Sequence, residues 1–308
     1  MSGKIAVIGS NMVDLITYMD RMPEAGETLE APNFQIGHGG KGANQAIAAA
    51  RLGAKVVMVT KVGDDLFADN TIKNFENHGI DTRFVKKVAG KSSGVAPIFV
   101  DPTGENRILI IKGANADLCP QDIDEAAEEL KTCSLILLQL EVSLETIYYA
   151  IEFGAKHGIK TILNPAPADP RLDIERIRKV TFFTPNESEL ALLTGLPVET
   201  QEDVEKAART LIQKGIETVV VTMGSRGALL ITAETSELIP SSKVKAVDTT
   251  GAGDAFIGSF ARFYSTSNDV SASLKTAALY AADSITKRGT QTSYATPAEF
   301  EEFRKSLG

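Results

Sequence analysis

The sequence predicts an α/β fold in which a mostly parallel sheet has helices on both faces. Short β-branched runs alternate with helical patterns along most of the 308 residues. Continuous apolar strands between amphipathic helices are typical of a buried parallel sheet. Two segments interrupt this alternation and have the pattern of antiparallel strands. We therefore expect a three-layer α/β domain with a small antiparallel β lid.

The alternation can be followed along the chain. Strand patterns occupy residues 5–8, 56–59, 135–140, 161–163, 182–183 and 218–222. Helical patterns occupy residues 43–52, 67–75, 144–153, 187–193, 204–214, 270–286 and 297–307. In this list a helical pattern comes next after the strand patterns at 5–8, 56–59, 135–140 and 182–183, which is the repeated βα unit of a parallel sheet.

The interrupting segments are residues 14–37 and 94–112. In the second, strand-like stretches at 95–100 and 107–111 flank Asp101-Pro102-Thr103-Gly104, a turn sequence typical of a hairpin. We expect both segments to form the lid, and residues 1–13, 38–93 and 113–308 to form the main α/β domain. The alternative is that they are inert excursions.

Composition excludes several classes of protein. There are 32 Lys and Arg against 40 Asp and Glu, so the formal net charge is −8, and no basic block is interleaved with aromatic residues. A nucleic-acid partner is therefore not expected. No apolar stretch has membrane-spanning length, and the two cysteines, Cys119 and Cys133, have no metal or disulfide spacing. We expect a cytoplasmic protein without a membrane partner.

The most informative motif is Asp248-Thr249-Thr250-Gly251-Ala252-Gly253-Asp254. Its glycine-rich turn runs directly into an apolar helical pattern, so Asp254 is expected at a helix start. The unpaired N–H groups of a first helical turn can bind a phosphate. A carboxylate beside them could accept the proton of an attacking hydroxyl. The alternative is an ordinary Asp cap after a flexible turn.

A second glycine-rich motif is Gly37-His38-Gly39-Gly40-Lys41-Gly42-Ala43-Asn44-Gln45. It contains a formal G-x-G-x-x-G, but it does not follow the first strand of a Rossmann unit, and no Ser or Thr follows the Lys as a Walker A loop requires. Recognition of a hydroxylated ligand by backbone amides and Asn44 is favoured over a dinucleotide. His38 has no neighbouring second ligand, so a packing or surface role is expected for it.

Further polar groups follow the predicted strands. Asp14 and Glu141 are expected at the carboxyl edge of the sheet, where open α/β sheets bind ligands. Asn186 and Glu189 are spaced either to cap a helix or to hold Mg²⁺ through water. The turn at residues 222–227 could border a nucleotide. The alternatives are an ordinary turn residue for Asp14 and simple helix capping for Asn186 and Glu189.

The segments Gly39-Gly40-Lys41-Gly42-Ala43-Asn44 and Asp248 to Asp254, in this order and separation, resemble the two motifs of the ribokinase-like carbohydrate kinases, the PfkB family. The resemblance covers essentially the whole chain and is strongest to ribokinases and 2-deoxyribose kinases. It implies ATP-dependent phosphorylation of the 5-hydroxyl of a free pentose, D-ribose or 2-deoxy-D-ribose, with Mg²⁺ and an activating K⁺.

The resemblance also implies residue roles. Asp254 is the implied base, beside an anion hole formed by Gly251, Ala252 and Gly253. The implied sugar contacts, with Asp254, are Met12, Asp14, Gly40, Lys41, Asn44 and Glu141. The implied nucleotide contacts are Asn186, Thr222, Gly224, Gly227 and Gly253, and Glu189 would organise Mg²⁺ through water. The implied K⁺ positions are Asp248, Thr250, Ser284, Lys287, Gly289 and Ser293.

Met12 departs from the Asn that several ribokinases carry at this place, and it cannot donate a strong hydrogen bond to a sugar hydroxyl. Both pentoses are therefore expected as substrates. The exposed strands of the lid are expected to pair in a homodimer. A non-catalytic sugar-binding regulatory protein and a dinucleotide-dependent oxidoreductase remain as alternatives.

Overall fold

The computed structural model describes residues 3–103 and 105–307, so Gly104 of the predicted turn lies outside it. Within these ranges the strands are β1 (Ile5–Ile8), β2 (Met12–Tyr18), β3 (Asn33–Gly39), β4 (Val56–Val62), β5 (Asp81–Lys87), β6 (Val95–Val100), β7 (Asn106–Ile108), β8 (Leu135–Gln139), β9 (Lys160–Asn164), β10 (Phe182–Phe183), β11 (Thr218–Thr222), β12 (Ala228–Ile231) and β13 (Ser236–Ile239).

The α-helices described are α1 (Lys41–Arg51), α2 (Leu66–Asn77), α3 (Pro120–Glu125), α4 (Ala127–Leu130), α5 (Leu144–His157), α6 (Ile174–Ile177), α7 (Glu187–Thr194), α8 (Gln201–Gln213), α9 (Ala252–Ser267), α10 (Val270–Ser284) and α11 (Pro297–Ser306). Short 3₁₀ turns cover Gly113–Asp117, Gly224–Arg226 and Gln291–Ser293. No described helix has both the length and the apolar character needed to cross a membrane.

The larger sheet has the strand order β13-β12-β11-β10-β9-β8-β1-β4-β5. Its neighbours from β5 to β11 are parallel, whereas β12 and β13 form an antiparallel hairpin at one edge. The predicted fold class is confirmed. Strand β5 was not predicted because Phe84 and Val85 are the only apolar residues among its seven. The β12–β13 hairpin was not predicted because each of its strands has only four residues, too few for a clear period.

The smaller sheet has the order β3-β2-β6-β7, with β2 and β3 antiparallel and β2 and β6 parallel. Its first strand already begins at Met12, and β3 runs on to Gly39. Asp14 therefore lies within a strand of this sheet, opposite Gly37. The alternative of an ordinary turn Asp is therefore wrong, because only three residues separate the end of β1 from the start of β2.

Alternate residues of the buried strands face opposite sides of the large sheet. Ile5 and Val7 belong to an apolar cluster that includes residues of α1, α9 and α10, whereas Ala6 and Ile8 belong to the cluster on the other face, which includes residues of α5 and α8. The two cores are separate apolar clusters, and both contain fully buried side chains. This double burial explains why the strands are continuously apolar.

The starts of several helices are set by side-chain caps. Thr200 and Asp203 form a capping box, so α8 begins at Gln201, three residues before the apolar pattern that predicted it. Ser143 caps α5 in the same way through the N–H of Thr146. Apolar periodicity locates the buried face of a helix, whereas the cap decides where the helix begins.

Helices α1 and α9 pack closely where Gly258 lies. A Cβ at this position would lie 2.5 Å from the carbonyl oxygen of Gln45 and 2.7 Å from the Cβ of Ala48. Only glycine allows the two helices to approach this closely. The consequence is that the first turn of α9 lies directly beside the first turn of α1.

Candidate active site

The candidate site lies beside β1, where the order in which successive strands are added to the large sheet reverses. From β1 the sheet extends through β4 to β5 on one side and from β8 to β11 on the other. The crevice at the carboxyl ends of such neighbouring strands is where open α/β sheets bind ligands. Ser10 follows β1, Glu141 follows β8 and Asn164 ends β9 at this edge. The predicted convergence of polar groups is therefore present.

The glycines at the start of α1 allow close contact between two backbone segments. Gly40 has φ 88°, and a Cβ there would lie 2.7 Å from the nitrogen of Met12. A Cβ on Gly42 would lie 2.6 Å from the nitrogen of Ser10. The sequence analysis expected these glycines to admit a ligand, but the atoms they approach belong to the chain itself, in the loop after β1.

Glu141 links the two sides of this contact. Its Oε2 accepts a hydrogen bond from the backbone N–H of Lys41 at 2.8 Å and another from the hydroxyl of Ser10. The same hydroxyl accepts from the N–H of Gly42 at 3.2 Å. The carboxylate is thus fixed at the N-terminus of α1, where backbone amides favour negative charge.

Asp14 faces the same region from β2. A Cβ on Gly39 would lie 2.3 Å from Oδ1 of Asp14, so the glycine leaves room for this carboxylate. Burial and, as the smaller cause, the nearby charge of Glu141 together raise the pKa of Asp14 to about 6. Two carboxylates held together in this way are suited to binding hydroxyl groups.

Asp254 occupies the third position of α9 and is 7 % exposed. Its Oδ2 accepts from Nδ2 of Asn44 at 2.9 Å, and its Oδ1 accepts from Nε2 of Gln45 at 3.0 Å. A Cβ on Gly253 would meet nothing within 4 Å, so the N-terminus of α9 is open beside this carboxylate. The geometry joins an anion-binding helix terminus to a buried, oriented carboxylate.

Lys41 and Glu189 add two further charged groups to the site. Burial would lower the pKa of Lys41, but the charges of Asp254, Glu141 and Glu189 raise it above its ordinary value. Burial raises the pKa of Glu189, and the charge of Asp254 adds to this effect. One ammonium group therefore lies among three carboxylates that come from distant parts of the sequence.

Glu189 also forms a capping box with Asn186. The side chain of Asn186 accepts from the N–H of Glu189 at 2.8 Å, and Oε2 of Glu189 accepts from the N–H of Asn186 at 2.8 Å. The capping alternative is thus present in the structure. Each carboxylate oxygen retains a further lone pair, so the capping geometry leaves acceptors for water.

The turn after β11 lies beside this cap. A bridge pairs Asn186 with Thr222, and the N–H of Thr222 donates to the carbonyl of Pro185 at 3.0 Å. Gly224 has φ 55° with open space around it, whereas a Cβ on Gly227 would lie 2.1 Å from the carbonyl oxygen of Ile239. Four of the five implied nucleotide positions therefore lie close together, namely Asn186, Thr222, Gly224 and Gly227.

The implied cation positions lie on two segments that are joined by Asp248. Its carboxylate accepts from the N–H groups of Thr250 and Gly289, each at 2.9 Å. Burial alone would raise the pKa of Asp248, but these hydrogen bonds hold it below its ordinary value. Ser284 and Ser293 donate their hydroxyls to carbonyls of their own segments. Lys287 instead pairs with Asp283 at 2.8 Å.

Met12 and His38 lie on β2 and β3 of the small sheet. Met12 is buried, and its Sδ lies 3.8 Å from Nδ2 of Asn115. His38 is half-buried on β3, and its Nδ1 has no hydrogen-bond partner among the described residues. Burial lowers the pKa of His38, which favours the neutral ring.

The sequence analysis missed three residues that hold the site together, namely Ser10, Gln45 and Gln291. Gln45 stands in the quoted glycine-rich motif next to Asn44, and that adjacency was the available signal. Gln291 donates from Nε2 to Oδ1 of Asn44 at 2.9 Å. Its partner is 247 positions away in the sequence, so spacing gave no indication of the contact.

Comparison with known proteins agrees with this geometry. The chain matches the pfkB family of carbohydrate kinases over residues 2–297. It is 60 % identical over 299 residues to a deoxyribokinase of Salmonella typhi, covering 97 % of this chain and 98 % of the relative. It is 40 % identical over 294 residues to a ribokinase of Mus musculus, covering 94 % and 91 %.

A solved structure of an Arabidopsis thaliana ribokinase complexed with ribose and ATP superposes with a TM-score of 0.94 at 28 % identity, covering 99 % of both chains. The predicted kinase class is confirmed over the two alternatives, a non-catalytic binding protein and an oxidoreductase. The chain belongs to the pfkB family of carbohydrate kinases.

Proposed function

We propose that this kinase transfers the γ-phosphoryl group of ATP to the 5-hydroxyl of a free pentose, with 2-deoxy-D-ribose preferred and D-ribose also accepted. The observation that carries the proposal is the position of Asp254. Its carboxylate lies between the open N-terminus of α9 and the N-terminus of α1, which bears Asn44. A phosphoryl donor and a hydroxylated acceptor can meet at this point.

In this proposal Asp254 accepts the proton of the 5-hydroxyl as that oxygen attacks the γ-phosphorus. The bond from the γ-phosphorus to the β–γ bridging oxygen breaks, and ADP leaves. The amides of Gly251, Ala252 and Gly253 stabilise negative charge on the transferring phosphoryl group. Lys41 lies near the same carboxylate and supplies a positive charge. Positioning and electrostatics supply most of the catalysis in phosphoryl transfer.

The sugar is bound by the carboxylates of Asp14 and Glu141 and by the amides of Gly40, Lys41 and Asn44. Carboxylates that accept from hydroxyl groups are common in polar ligand sites. Met12 borders the pocket without a strong donor, so a sugar that lacks the 2-hydroxyl leaves fewer polar groups unpaired. The similarity to a deoxyribokinase supports the same preference.

The nucleotide lies against Asn186 and the turn formed by Thr222, Gly224 and Gly227, with its phosphates directed to Gly253. We infer that Mg²⁺ accompanies ATP and is held by its phosphates and, through water, by Glu189. This ion usually keeps several waters and takes few carboxylates. The lone pairs left by the capping box of Glu189 fit such an indirect role.

A monovalent cation such as K⁺ is proposed beside the anion hole. Its position is bordered by Asp248, Thr250, Ser284, Lys287, Gly289 and Ser293. Asp248 already joins the two segments through amide hydrogen bonds, so a cation there would further order the loop that leads into Gly251. Because Lys287 pairs with Asp283, its contribution would come from its backbone carbonyl.

The small sheet, with residues 14–37 and 94–112 as its main part, is proposed to be a lid over the sugar. Closure would exclude water from a phosphoryl donor placed beside a base. We further propose that the protein acts in the cytoplasm, since the two cysteines are unpaired.

Replacement of Asp254 tests the assignment of the base. We expect Asp254→Asn to lower kcat by about 10³-fold, because the amide cannot accept the proton, while sugar binding changes little. Steady-state ADP production measures kcat, and titration calorimetry with the sugar serves as the control for an intact site. A variant that keeps more than a tenth of the wild-type kcat would refute Asp254 as the base.

The sugar preference tests the role of Met12. We expect a higher kcat/KM for 2-deoxy-D-ribose than for D-ribose with Mg²⁺ and K⁺ present. Met12→Asn should shift the ratio toward ribose by about tenfold, because the amide can pair with the 2-hydroxyl. Each sugar serves as the control for the other in the same variant. A wild-type preference for ribose would contradict the proposal.

The pKa of Asp14 predicts a pH dependence of sugar binding. The charged carboxylate is the form that accepts hydrogen bonds from sugar hydroxyls in this proposal, and with a pKa of about 6 it is mostly protonated at lower pH. The sugar Kd should therefore rise about tenfold between pH 7 and pH 5. Calorimetry at both pH values measures this, and Asp14→Asn, which cannot titrate, is the control. Equal slopes for the two proteins would show that another group is responsible.

We also propose a homodimer formed through the lid sheets. Phe34 and Ile36 are 54 % and 61 % exposed on β3, and Leu109, after β7, is 61 % exposed. Ile36→Lys with Leu109→Lys should shift the protein from dimer to monomer at micromolar concentration, because charges disfavour apolar pairing. Sedimentation velocity measures the state, and Leu192→Lys on α7 is the control. A wild-type monomer would contradict the dimer.

A further inference from the structure

Four side chains from four different parts of the fold form one continuous hydrogen-bonded row that ends at Asp254. Nδ2 of Asn74 on α2 donates to Oε1 of Gln291 at 2.9 Å. Nε2 of Gln291 donates to Oδ1 of Asn44 at 2.9 Å. Nδ2 of Asn44 donates to Oδ2 of Asp254 at 2.9 Å. We call this row the amide relay.

The amide relay has one direction, which is set by its last member. The carboxylate of Asp254 only accepts, so Asn44 must turn its NH₂ group toward it. The oxygen of Asn44 then faces Gln291, which must present its own NH₂ group. The oxygen of Gln291 in turn requires a donor, which Asn74 supplies. If any amide turned over alone, two oxygens would face each other.

Burial makes such an inversion costly. Gln291 is 6 % exposed and Asn44 is 7 % exposed, so water is largely excluded from both. A buried polar group without a partner loses the full value of its solvation. Gln45 fixes the other oxygen of Asp254 independently, at 3.0 Å. The amide relay therefore controls Asn44 and one of the two oxygens of the carboxylate.

We propose that Gln291, held by Asn74, is a positioning residue that fixes the orientation of the Asn44 amide and, through it, the carboxylate of Asp254. This proposal rests on the proposed function, in which Asp254 is the base and Asn44 contacts the sugar. With Oδ1 occupied by Gln291 and one Nδ2 hydrogen by Asp254, the second Nδ2 hydrogen remains for a sugar hydroxyl. Gln291 thus determines that Asn44 offers a donor to the sugar.

The proposal can be distinguished from the alternative that the hydrogen bond between Asn74 and Gln291 only holds two segments together. Asn74→Asp cannot donate, so Gln291 should turn its NH₂ group to the new carboxylate and its oxygen to Asn44. Asn74→Ala removes the contact, but Asn74 is half-buried and lines a surface cavity, so water can enter the space that its side chain leaves and replace the donor. Gln291 then keeps its orientation toward Asn44. If the amide relay fixes orientation, Asn74→Asp lowers kcat more than Asn74→Ala does. If the contact only holds the two segments together, Asn74→Ala lowers kcat at least as much.

The experiment measures kcat, the KM for each substrate and the thermal midpoint for Asn74→Asp and Asn74→Ala. The control is Asn70→Asp, which places the same charge one helical turn earlier, on an exposed side chain that lines the same 210 Å³ surface cavity between β3 and α2. We expect a roughly tenfold loss of kcat for Asn74→Asp and less than about threefold for Asn74→Ala. Asn70→Asp and the KM for ATP should change by less than about twofold.

Gln291→Glu tests the same inversion at the next residue of the amide relay, because its carboxylate would place an oxygen opposite Oδ1 of Asn44. It should lower kcat at least as much as Asn74→Asp. If Asn74→Ala is as damaging as Asn74→Asp, or if Asn70→Asp matches it, the directional role is overturned. Asp254→Asn is measured in the same assay. An inactive Asp254→Asn together with a normal Asn74→Asp refutes the amide relay alone, whereas an active Asp254→Asn refutes the base.

Discussion

The site depends on the contact between the first turns of α1 and α9, where Asn44 and Gln45 each donate to one oxygen of Asp254. A buried carboxylate is unfavourable unless donors replace its water. These two amides do so, and the missing side chain of Gly258 lets the helices come close enough to form both bonds. Without that approach, the carboxylate would lose its partners or its fixed position.

The same contact concentrates negative charge. Asp254, Glu141 and Glu189 surround Lys41 closely enough to raise its pKa, and the charge of Glu141 helps to raise that of Asp14. The stability of the fold alone would not favour such a group of carboxylates, since like charges in a partly buried site repel. The arrangement is favourable for a ligand that brings hydroxyl donors and a metal-bound phosphate chain. Binding sites commonly retain such locally destabilising groups.

Much of the fold could be predicted because its signals are local. The apolar strands with their following helices predicted the parallel sheet, and two glycine-rich motifs predicted the N-termini of α1 and α9. The partners of these motifs could not be predicted in the same way. Gln45 meets a carboxylate 209 positions away, and nothing in a helical Gln indicates which distant group it bonds. Gly40 and Gly42 correctly indicated that other atoms come close to the backbone here, but the sequence did not show that those atoms belong to the loop after β1.

The two motifs are therefore parts of one structural unit. The N-terminus of α1 binds Glu141 and donates to Asp254, while the N-terminus of α9 carries that same Asp254 beside its open amides. A change in the position of either helix would alter the acceptor side and the phosphate side together. In phosphoryl transfer the attacking oxygen, the phosphorus and the leaving oxygen must lie in line. A carboxylate shared by both helices provides the fixed reference that this alignment requires.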